Sequence, residues 1–272
     1  MKYTLLIAVL AVASAQAEET GFVPLFNGKD LTGWHVQGGG LSKWTTEGGS
    51  IVCDGKASGW LATDKEYGDF TLKIDWRIKP GGNSGIGLRF PSNGDPAFDG
   101  FEVQILDDKA PAYKKSGFAQ HTGSIWGQVE PDESKKKLNP PGQWNSYEIT
   151  CWGSSVIITL NGVEIKRVEL DQETQGARGR KPLSQRPRRG FIGMQASTGR
   201  VEFRNIFIQE IGRDEALSKS QGVVPAPAAS TPATKGDLTP ADRIKQIKQL
   251  MEQGLIDKSE YDRRVKEILD AI

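Results

Sequence analysis

The stretch Gly100–Asp108, which reads GFEVQILDD, decides the fold that this chain can adopt. Side chains of an extended strand alternate between two faces, so Glu102 and Gln104 point to the same side. The opposite face is apolar and holds Phe101, Val103 and Ile105. A buried Glu without a partner is costly, so a polar pair backed by an apolar stripe is either a solvated outer face or the floor of a binding cleft.

Two glycine-punctuated stretches on either side of this strand favour a binding cleft. Asn83–Arg89 reads NSGIGLR and His121–Gly127 reads HTGSIWG. Both contain polar groups suited to a sugar, and aromatic rings can serve as platforms for a ligand. Ser84 and Trp126 are therefore candidate substrate-binding residues.

Short strands fill the rest of residues 21–211. Phe70–Lys79 alternates completely between apolar and polar residues, which places Trp76 in the core register. Asn161-Gly162 joins two apolar runs and predicts a hairpin. Because no helical pattern interrupts these strands, we expect antiparallel pairing in a sandwich or barrel.

The positive and negative charges of the chain nearly cancel, which excludes a net electrostatic field that would attract a highly charged partner. The chain has 35 Lys and Arg against 34 Asp and Glu, a net charge of +1, so neither nucleic acid nor a membrane surface is an expected partner. The segment Arg178–Arg189 contains six basic residues without interleaved aromatics. We interpret it as a solvated loop; the alternative is that it rims an anionic or hydroxyl-rich ligand site.

The first seventeen residues predict export. Lys2 precedes the apolar run Leu5–Val12, and small residues end the segment at Ala17. This is the pattern of a signal peptide, and the run is too short to span a membrane. We expect cleavage near Ala17 and a secreted or periplasmic mature protein, residues 18–211 of which form the sandwich.

Two cysteines, Cys53 and Cys151, leave the disulfide question open. An oxidising compartment would permit them to pair. They are equally compatible with two small buried hydrophobes in separate strands.

The C-terminal part has a different composition. Residues 212–238 are rich in Ala, Pro and Ser and predict a flexible linker. In residues 239–272, Thr239-Pro240 begins one helix, Gly254 ends it, and Asp257–Glu260 begins a second. Two short helices bury little apolar surface alone, so we expect self-association or docking to a protein partner.

Several stretches, taken together and in order, resemble one family. They are GFVPLFNGKDLTGW (21–34), the strand at Trp44, GNSGIGLR (82–89), GFEVQILDD (100–108), HTGSIWG (121–127), GQWNSYEI (142–149) with its LNG turn, and VEFRNI (201–206). Residues 21–211 resemble the 3-keto-disaccharide hydrolase family, which implies an antiparallel jelly-roll β-sandwich of the concanavalin or laminin-G type. The tail resembles the C-terminal helical module called SHOCT, which implies an oligomerisation or partner-binding device.

The resemblance also implies a reaction. A ketone at C3 of a glucosyl unit acidifies the hydrogen on C2, so a base can remove it while the C1 leaving group departs; water then adds, giving net hydrolysis. This chemistry needs a base, an acid and donors to the enolate, and not the carboxylate pair of ordinary glycosidases. Where many members have a His-Gly pair, this chain reads Met194–Gly199, which leaves only His35 and His121.

Strand parity assigns the candidate roles. We expect Glu102 to be the C2 base or to position it, with Asp107 as the second choice, and His121 to protonate the leaving oxygen. The candidate substrate-binding residues are Arg89, Gln104, Ser84, Trp126 and Gln195. The alternative is that Glu102 and Arg89 merely form an ion pair across adjacent strands.

No cofactor is predicted, and the acidic residues leave a divalent metal ion open without defining a site. A non-catalytic carbohydrate-binding module is the alternative function, since the same sandwich often only binds sugars. A conventional β-glucanase is the weakest hypothesis. Such enzymes carry Glu-x-Asp-x-x-Glu, whereas this strand has Gln104 and Asp107 at the last two of these positions.

Overall fold

The computed structural model describes residues 21–38, 44–55, 59–177 and 179–212. It also describes seven residues further along, all of them helical: Ile244, Lys248, Lys258, Tyr261, Asp262, Val265 and Lys266. The predicted signal peptide lies outside these residues, as does nearly all of the predicted linker.

Thirteen β-strands run through the described residues. In chain order they are β1 (Val23–Pro24), β2 (Trp34–Gln37), β3 (Trp44–Glu47), β4 (Ser50–Cys53), β5 (Gly59–Thr63), β6 (Phe70–Ile78), β7 (Asn83–Phe90), β8 (Phe101–Leu106), β9 (Asn145–Trp152), β10 (Ser155–Leu160), β11 (Val163–Glu169), β12 (Phe191–Ala196) and β13 (Val201–Glu210). The helical elements of this region are one turn of α-helix, α1 (Pro96–Asp99), and four 3₁₀ turns at Pro111–Tyr113, Phe118–Gln120, Leu170–Gln172 and Leu183–Gln185.

The strands form two antiparallel sheets. The large sheet has eight strands in the order β11-β10-β9-β6-β13-β4-β3, with β1 also paired to β13. The small sheet has five strands in the order β2-β5-β12-β7-β8. The predicted all-β antiparallel sandwich is therefore confirmed.

Alternating side chains build the core between the sheets. On β6 the apolar residues Phe70, Leu72, Ile74, Trp76 and Ile78 are all buried, and Trp76 is only 1% exposed. Its ring lies 5.4 Å from that of Tyr147 on the neighbouring strand. The predicted core position of Trp76 is confirmed.

The predicted hairpin at Asn161-Gly162 is confirmed as well. These two residues join β10 to β11, with φ angles of 49° and 79°. Two successive positive φ angles are what a tight two-residue β-turn requires, and Asn-Gly is the pair that adopts them most readily.

The two cysteines are free and buried. Cys53 lies on β4 and Cys151 on β9, and the strands β13 and β6 separate them in the large sheet. Three strand spacings amount to about 14 Å. This exceeds the roughly 4.4–6.8 Å between Cα atoms that a disulfide needs, so the two thiols are separate core residues.

Contacts along the chain divide it into two units, Met1–Gln221 and Gly222–Ile272. The family resemblance of the tail to a SHOCT module stays a prediction. Among the described residues, no helix has the length and apolar content to cross a bilayer.

Candidate functional site

Glu102 lies on the edge strand of the small sheet and faces away from the core. Its neighbours in sequence, Phe101 and Val103, belong to the core cluster, whereas the Glu102 side chain lies over the outer face. Glu102 is nevertheless only 2% exposed. The solvated outer face that the sequence allowed is therefore wrong for this strand.

Gly85 makes room for the Glu102 carboxylate. A Cβ atom placed on Gly85 would lie 1.9 Å from Oε1 of Glu102. The carboxylate thus lies across the backbone of β7, in space that any other residue at position 85 would occupy.

Burial changes the protonation of Glu102. Removal from water raises the pKa of Glu102 well above its usual range, and the nearby negative charge of Asp95 raises it further. Within the described part of the chain, Glu102 has no cationic partner at ion-pair distance. Burial therefore favours the protonated form of the carboxyl group, and the ionised form is a stronger base than an exposed carboxylate.

Gln104 is the polar neighbour of Glu102. In one orientation of its amide, Nε2 donates to Oδ1 of Asn83 at 3.2 Å. In the flipped orientation the nitrogen donates to Oε1 of Glu102 at 3.2 Å and to the Ser84 carbonyl at 2.8 Å. Only the flipped orientation gives the buried Glu102 carboxyl group a hydrogen bond from Gln104, so the amide nitrogen faces Glu102.

Gln195 lies on the same outer face, across Gly85. Met194 pairs with Ile86. Because β12 and β7 are antiparallel, Gln195 lies opposite Gly85, and Gly85 in turn pairs with Gln104 on β8. Two strand spacings put Gln195 and Gln104 about 10 Å apart on either side of the glycine. The two amides thus flank the backbone over which Glu102 lies.

The segment Gly123–Trp126 covers the outer edge of β8. The Trp126 amide donates to the Glu102 carbonyl at 2.9 Å, and the Gln104 amide donates to the Ser124 carbonyl at 3.0 Å. Trp126 also packs edge-on against Phe98 of α1, with ring centroids 5.3 Å apart. Trp126 is thus close to the backbone of Glu102 and beside the segment that carries Asp95.

Ser124 is a candidate that sequence reasoning missed. Ile125 bridges Val103 on the core side, so the preceding Ser124 points to the outer face that carries Gln104. The Ser124 side chain is fully buried, and its hydroxyl has no hydrogen-bond partner among the described residues. Its position in the glycine-punctuated stretch after β8 was the available signal.

His121 lies in the loop that covers the outer edge of β8, just after the 3₁₀ turn Phe118–Gln120. The hydroxyl of Thr122, the next residue, donates to the Leu106 carbonyl at 2.8 Å. Leu106 is four residues beyond Glu102, or about 13 Å along the strand. The His121 carbonyl also accepts from the Ser124 amide at 3.0 Å, and the Gln104 amide donates to the Ser124 carbonyl at 3.0 Å, so two backbone hydrogen bonds connect His121 to Gln104 through Ser124.

An ionic network surrounds His121. Its Nδ1 lies 3.4 Å from Glu133, and Lys136 pairs with Glu133 at 2.6 Å and with Asp108 at 2.7 Å. Asp108 also accepts from the Thr122 amide at 2.9 Å. These bonds fasten the 121–136 loop to the end of the small sheet, which gives this cluster a structural role.

Asp107 directly follows the last residue of β8. Its Oδ2 accepts from the Gly81 amide at 2.8 Å, which ties the strand to the turn before β7. Five residues separate Asp107 from Glu102, which is about 16 Å along an extended strand.

Arg89 lies elsewhere, and the predicted ion pair with Glu102 is wrong. Arg89 is fully buried, and its guanidinium donates to the carbonyls of Gly68 (2.9 Å) and Gly153 (2.7 Å) and to Asp69 (3.1 Å). The physical reason is a break in alternation: Arg89 has a φ of +52°, and the β7–β12 register shifts at this point. The bulge turns Arg89 away from the Glu102 face, and its guanidinium is occupied by contacts within the protein.

Ser84 points into the core. It pairs with Ile105, and its hydroxyl donates to the Gln195 carbonyl at 2.7 Å. Ser84 therefore ties β7 to β12 and does not line the outer face.

Within the described ranges, no group of three or more His, Cys, Asp or Glu side chains is arranged to hold a metal ion. The arrangement at Glu102 can exchange a proton through a carboxyl group and can hold hydroxyl groups through two amides.

A sequence profile described as the 3-keto-alpha-glucoside-1,2-lyase-like domain matches residues 21–209. A 3-keto-disaccharide hydrolase of Bacteroides thetaiotaomicron is 26% identical over 227 residues, which cover 70% of this chain and 78% of the relative.

Two crystal structures of candidate glycosyl hydrolases from Parabacteroides distasonis are similar to this chain. One has a TM-score of 0.62 at 26% identity, covering 70% of this chain and 98% of its own. The other has a TM-score of 0.63 at 28% identity, covering 72% of this chain and 97% of its own.

Proposed function

The chain belongs to the 3-keto-alpha-glucoside-1,2-lyase-like domain family, and on that basis we propose that it is a carbohydrate-active hydrolase of 3-keto-disaccharides and related 3-keto-glycosides. The profile covers the whole sandwich, and the Bacteroides relative carries the matching activity in its name. The observation within the site that carries the proposal is the buried Glu102 carboxyl over Gly85.

The reaction proceeds in two balanced steps. A base removes the proton from C2, which the C3 ketone acidifies; a C1–C2 double bond forms as the C1–O bond breaks, and the departing oxygen takes up a proton. Water then adds its oxygen to C1 and a proton to C2. The sum is hydrolysis, without the paired carboxylates of ordinary glycosidases.

Glu102 is the proton-transfer group in this proposal. It first releases its own proton, because only the ionised form can accept the one at C2. In a desolvated position the carboxylate is a stronger base than in water, as the raised pKa of Glu102 indicates. Gln104 holds one carboxylate oxygen, and Gln195 on the other side of Gly85 is placed to bind a sugar hydroxyl.

The same carboxyl group can return the proton to the leaving oxygen. C1 and C2 are bonded neighbours, so the leaving oxygen and the C2 hydrogen lie within reach of one carboxyl group. A proton donated by His121 is the alternative, and the variant His121→Ala separates the two.

The proposal also includes export of the enzyme and a role for the C-terminal tail. We place the enzyme outside the cytoplasm because residues 1–17 have the pattern of a signal peptide. The C-terminal helices, as a SHOCT-like module, serve assembly or partner binding rather than chemistry.

The decisive experiment compares a 3-keto-glucoside with its parent glucoside. Purified protein should consume the keto compound and leave the parent intact, and mass spectrometry should identify the released 3-keto-sugar. Binding of the keto compound without any turnover would instead identify a non-catalytic carbohydrate-binding module.

A further inference from the structure

A cleft beside α1 contains a buried arginine that the proposed reaction does not use. The cleft has a volume of about 380 Å³, within the range of small-molecule sites. Its lining includes Pro91, Asn93, Asp99, Lys181, Gln185 and Arg186. We refer to it as the Arg186 cleft.

Three hydrogen bonds fix the Arg186 guanidinium in place. Nη1 donates to the carbonyls of Ala97 (3.1 Å) and Gly100 (2.9 Å), and Nε donates to the Lys181 carbonyl at 3.0 Å. Arg186 is only 4% exposed, so the predicted solvated loop is wrong at this residue. A guanidinium held at two nitrogens presents the third in a fixed direction.

The third nitrogen of Arg186 is unsatisfied. Nη2 is buried and has no hydrogen-bond partner within the part of the chain that the structure describes. The same part of the chain offers no carboxylate within ion-pair distance of Arg186; Asp99 lines the cleft, but its Oδ2 accepts from the Asp95 amide at 2.8 Å. The negative charge of Asp99 acts on Arg186 through space, but it supplies no hydrogen bond to Nη2. A buried N–H group without an acceptor is costly, so a ligand that supplies an acceptor at this position would be stabilised.

The charge around the cleft selects the kind of ligand. Lys181 and Arg186 contribute two positive charges to the lining against one negative charge on Asp99. Arg180 adds a further cation nearby, stacked over the Phe98 ring of α1 at 4.1 Å. A net positive lining favours an anion over a neutral hydroxyl group.

We propose that the Arg186 cleft binds an oxyanion, with two oxygens of a carboxylate or sulfate facing the free Nη2 group and Lys181 contributing attraction from the rim. Such a group can belong to an acidic sugar or to a free inorganic ion. The proposal stands apart from turnover, because it concerns binding at a position separated from Glu102 by α1 and its flanking residues.

Titration with three probes tests the proposal on the purified full chain. Sodium sulfate, glucuronate and glucose are added separately, and binding is followed by calorimetry and by the side-chain Nε–H signal of Arg186 in NMR spectra. Sulfate and glucuronate should bind and shift that signal, and glucose should do neither. Tighter binding of glucuronate than of sulfate indicates an acidic sugar as the natural ligand, and the reverse order indicates a free ion.

Variants locate the binding. Arg186→Lys keeps the charge but loses the planar fork, so affinity should fall about tenfold. Lys181→Glu reverses an exposed charge without touching the Arg186 hydrogen bonds, and it should weaken both anions severalfold even if Arg186→Lys fails to fold. Lys137→Glu is the matched control, since Lys137 is also exposed and lies away from the cleft.

Three results would overturn the proposal. They are absence of any anion binding, equal binding of glucose and glucuronate, and equal loss of affinity in Lys181→Glu and Lys137→Glu. None of them bears on hydrolysis of 3-keto-glycosides, so failure here and failure of the proposed function can be told apart.

Discussion

Glu102 and Gly85 share one space: Oε1 of the acid lies 1.9 Å from the position that a Cβ on Gly85 would take. The two residues face each other across β7 and β8, where Gly85 is paired with Gln104 and Gly87 with Glu102. The absence of a side chain at position 85 is therefore a condition for the placement of the candidate acid.

Gly85→Ala should displace Glu102 and abolish most of the turnover. The new methyl group overlaps the carboxylate, so the variant should also lose about 1–3 kcal/mol of unfolding free energy through overpacking. Gly117→Ala is the control, because Gly117 has open space around its Cβ position and a φ of −70°. Turnover assays and thermal melts check both variants; unchanged turnover in Gly85→Ala would show that the position of Glu102 does not matter.

Glu102→Gln should lower turnover of a 3-keto-glucoside by about 10²–10⁴-fold, the usual contribution of a positioned proton-transfer group. The amide keeps the size and a hydrogen-bond acceptor for Gln104, so the unfolding free energy should change little. Steady-state kinetics and denaturant melts measure the two effects. Near-normal turnover here, together with an inactive Asp107→Asn or His121→Ala, would assign the base to Asp107 or to His121 instead.

The raised pKa of Glu102 predicts a dependence on pH with a definite sign. The folded protein holds this proton to a higher pH than the unfolded chain, whose Glu side chains titrate near about 4.3. The contribution of Glu102 to stability is thus fully present below that pH and is lost as pH rises through the raised pKa. Turnover should rise over the same interval, because the ionised form is the base.

The comparison with Glu102→Gln isolates this effect. Over the interval from about pH 4.3 upward, the wild type should lose unfolding free energy relative to the variant. Melts at a series of pH values measure the difference between the two proteins. Parallel stability curves would contradict a raised pKa at Glu102.

Truncation after Gly212 should leave turnover within about twofold of the full chain, because a long Ala- and Pro-rich linker uncouples the tail from the sandwich. The oligomeric state is the property that should change, and size-exclusion chromatography with light scattering measures it. A folded truncation that has lost its activity would assign the tail a part in catalysis.

Several features could be predicted from the sequence because they depend on local backbone geometry. Alternation along β6 and β8 placed Trp76 and Val103 in the core and Glu102 on the opposite face. The Asn161-Gly162 pair defined its hairpin, because these residues accept the positive φ angles of the turn.

The tertiary structure alone decided which of the candidate residues meet. The sequence allowed an ion pair between Arg89 and Glu102, but a bulge at positive φ turned Arg89 toward Asp69. Bulges and strand registers arise from contacts between segments far apart in the chain, and alternation within one segment does not report them.

The same reason explains why Glu102 lies over Gly85. The sequence determined a sandwich with a polar pair on one strand of it. The register of β8 against β7 and against the 122–126 segment decided that the acid lies over a glycine. It also left the Ser124 hydroxyl buried. The packing of the 181–187 loop against α1 left one nitrogen of Arg186 without a hydrogen-bond partner among the described residues. Only the tertiary structure decides such positions, because long-range packing fixes them rather than the neighbours in sequence.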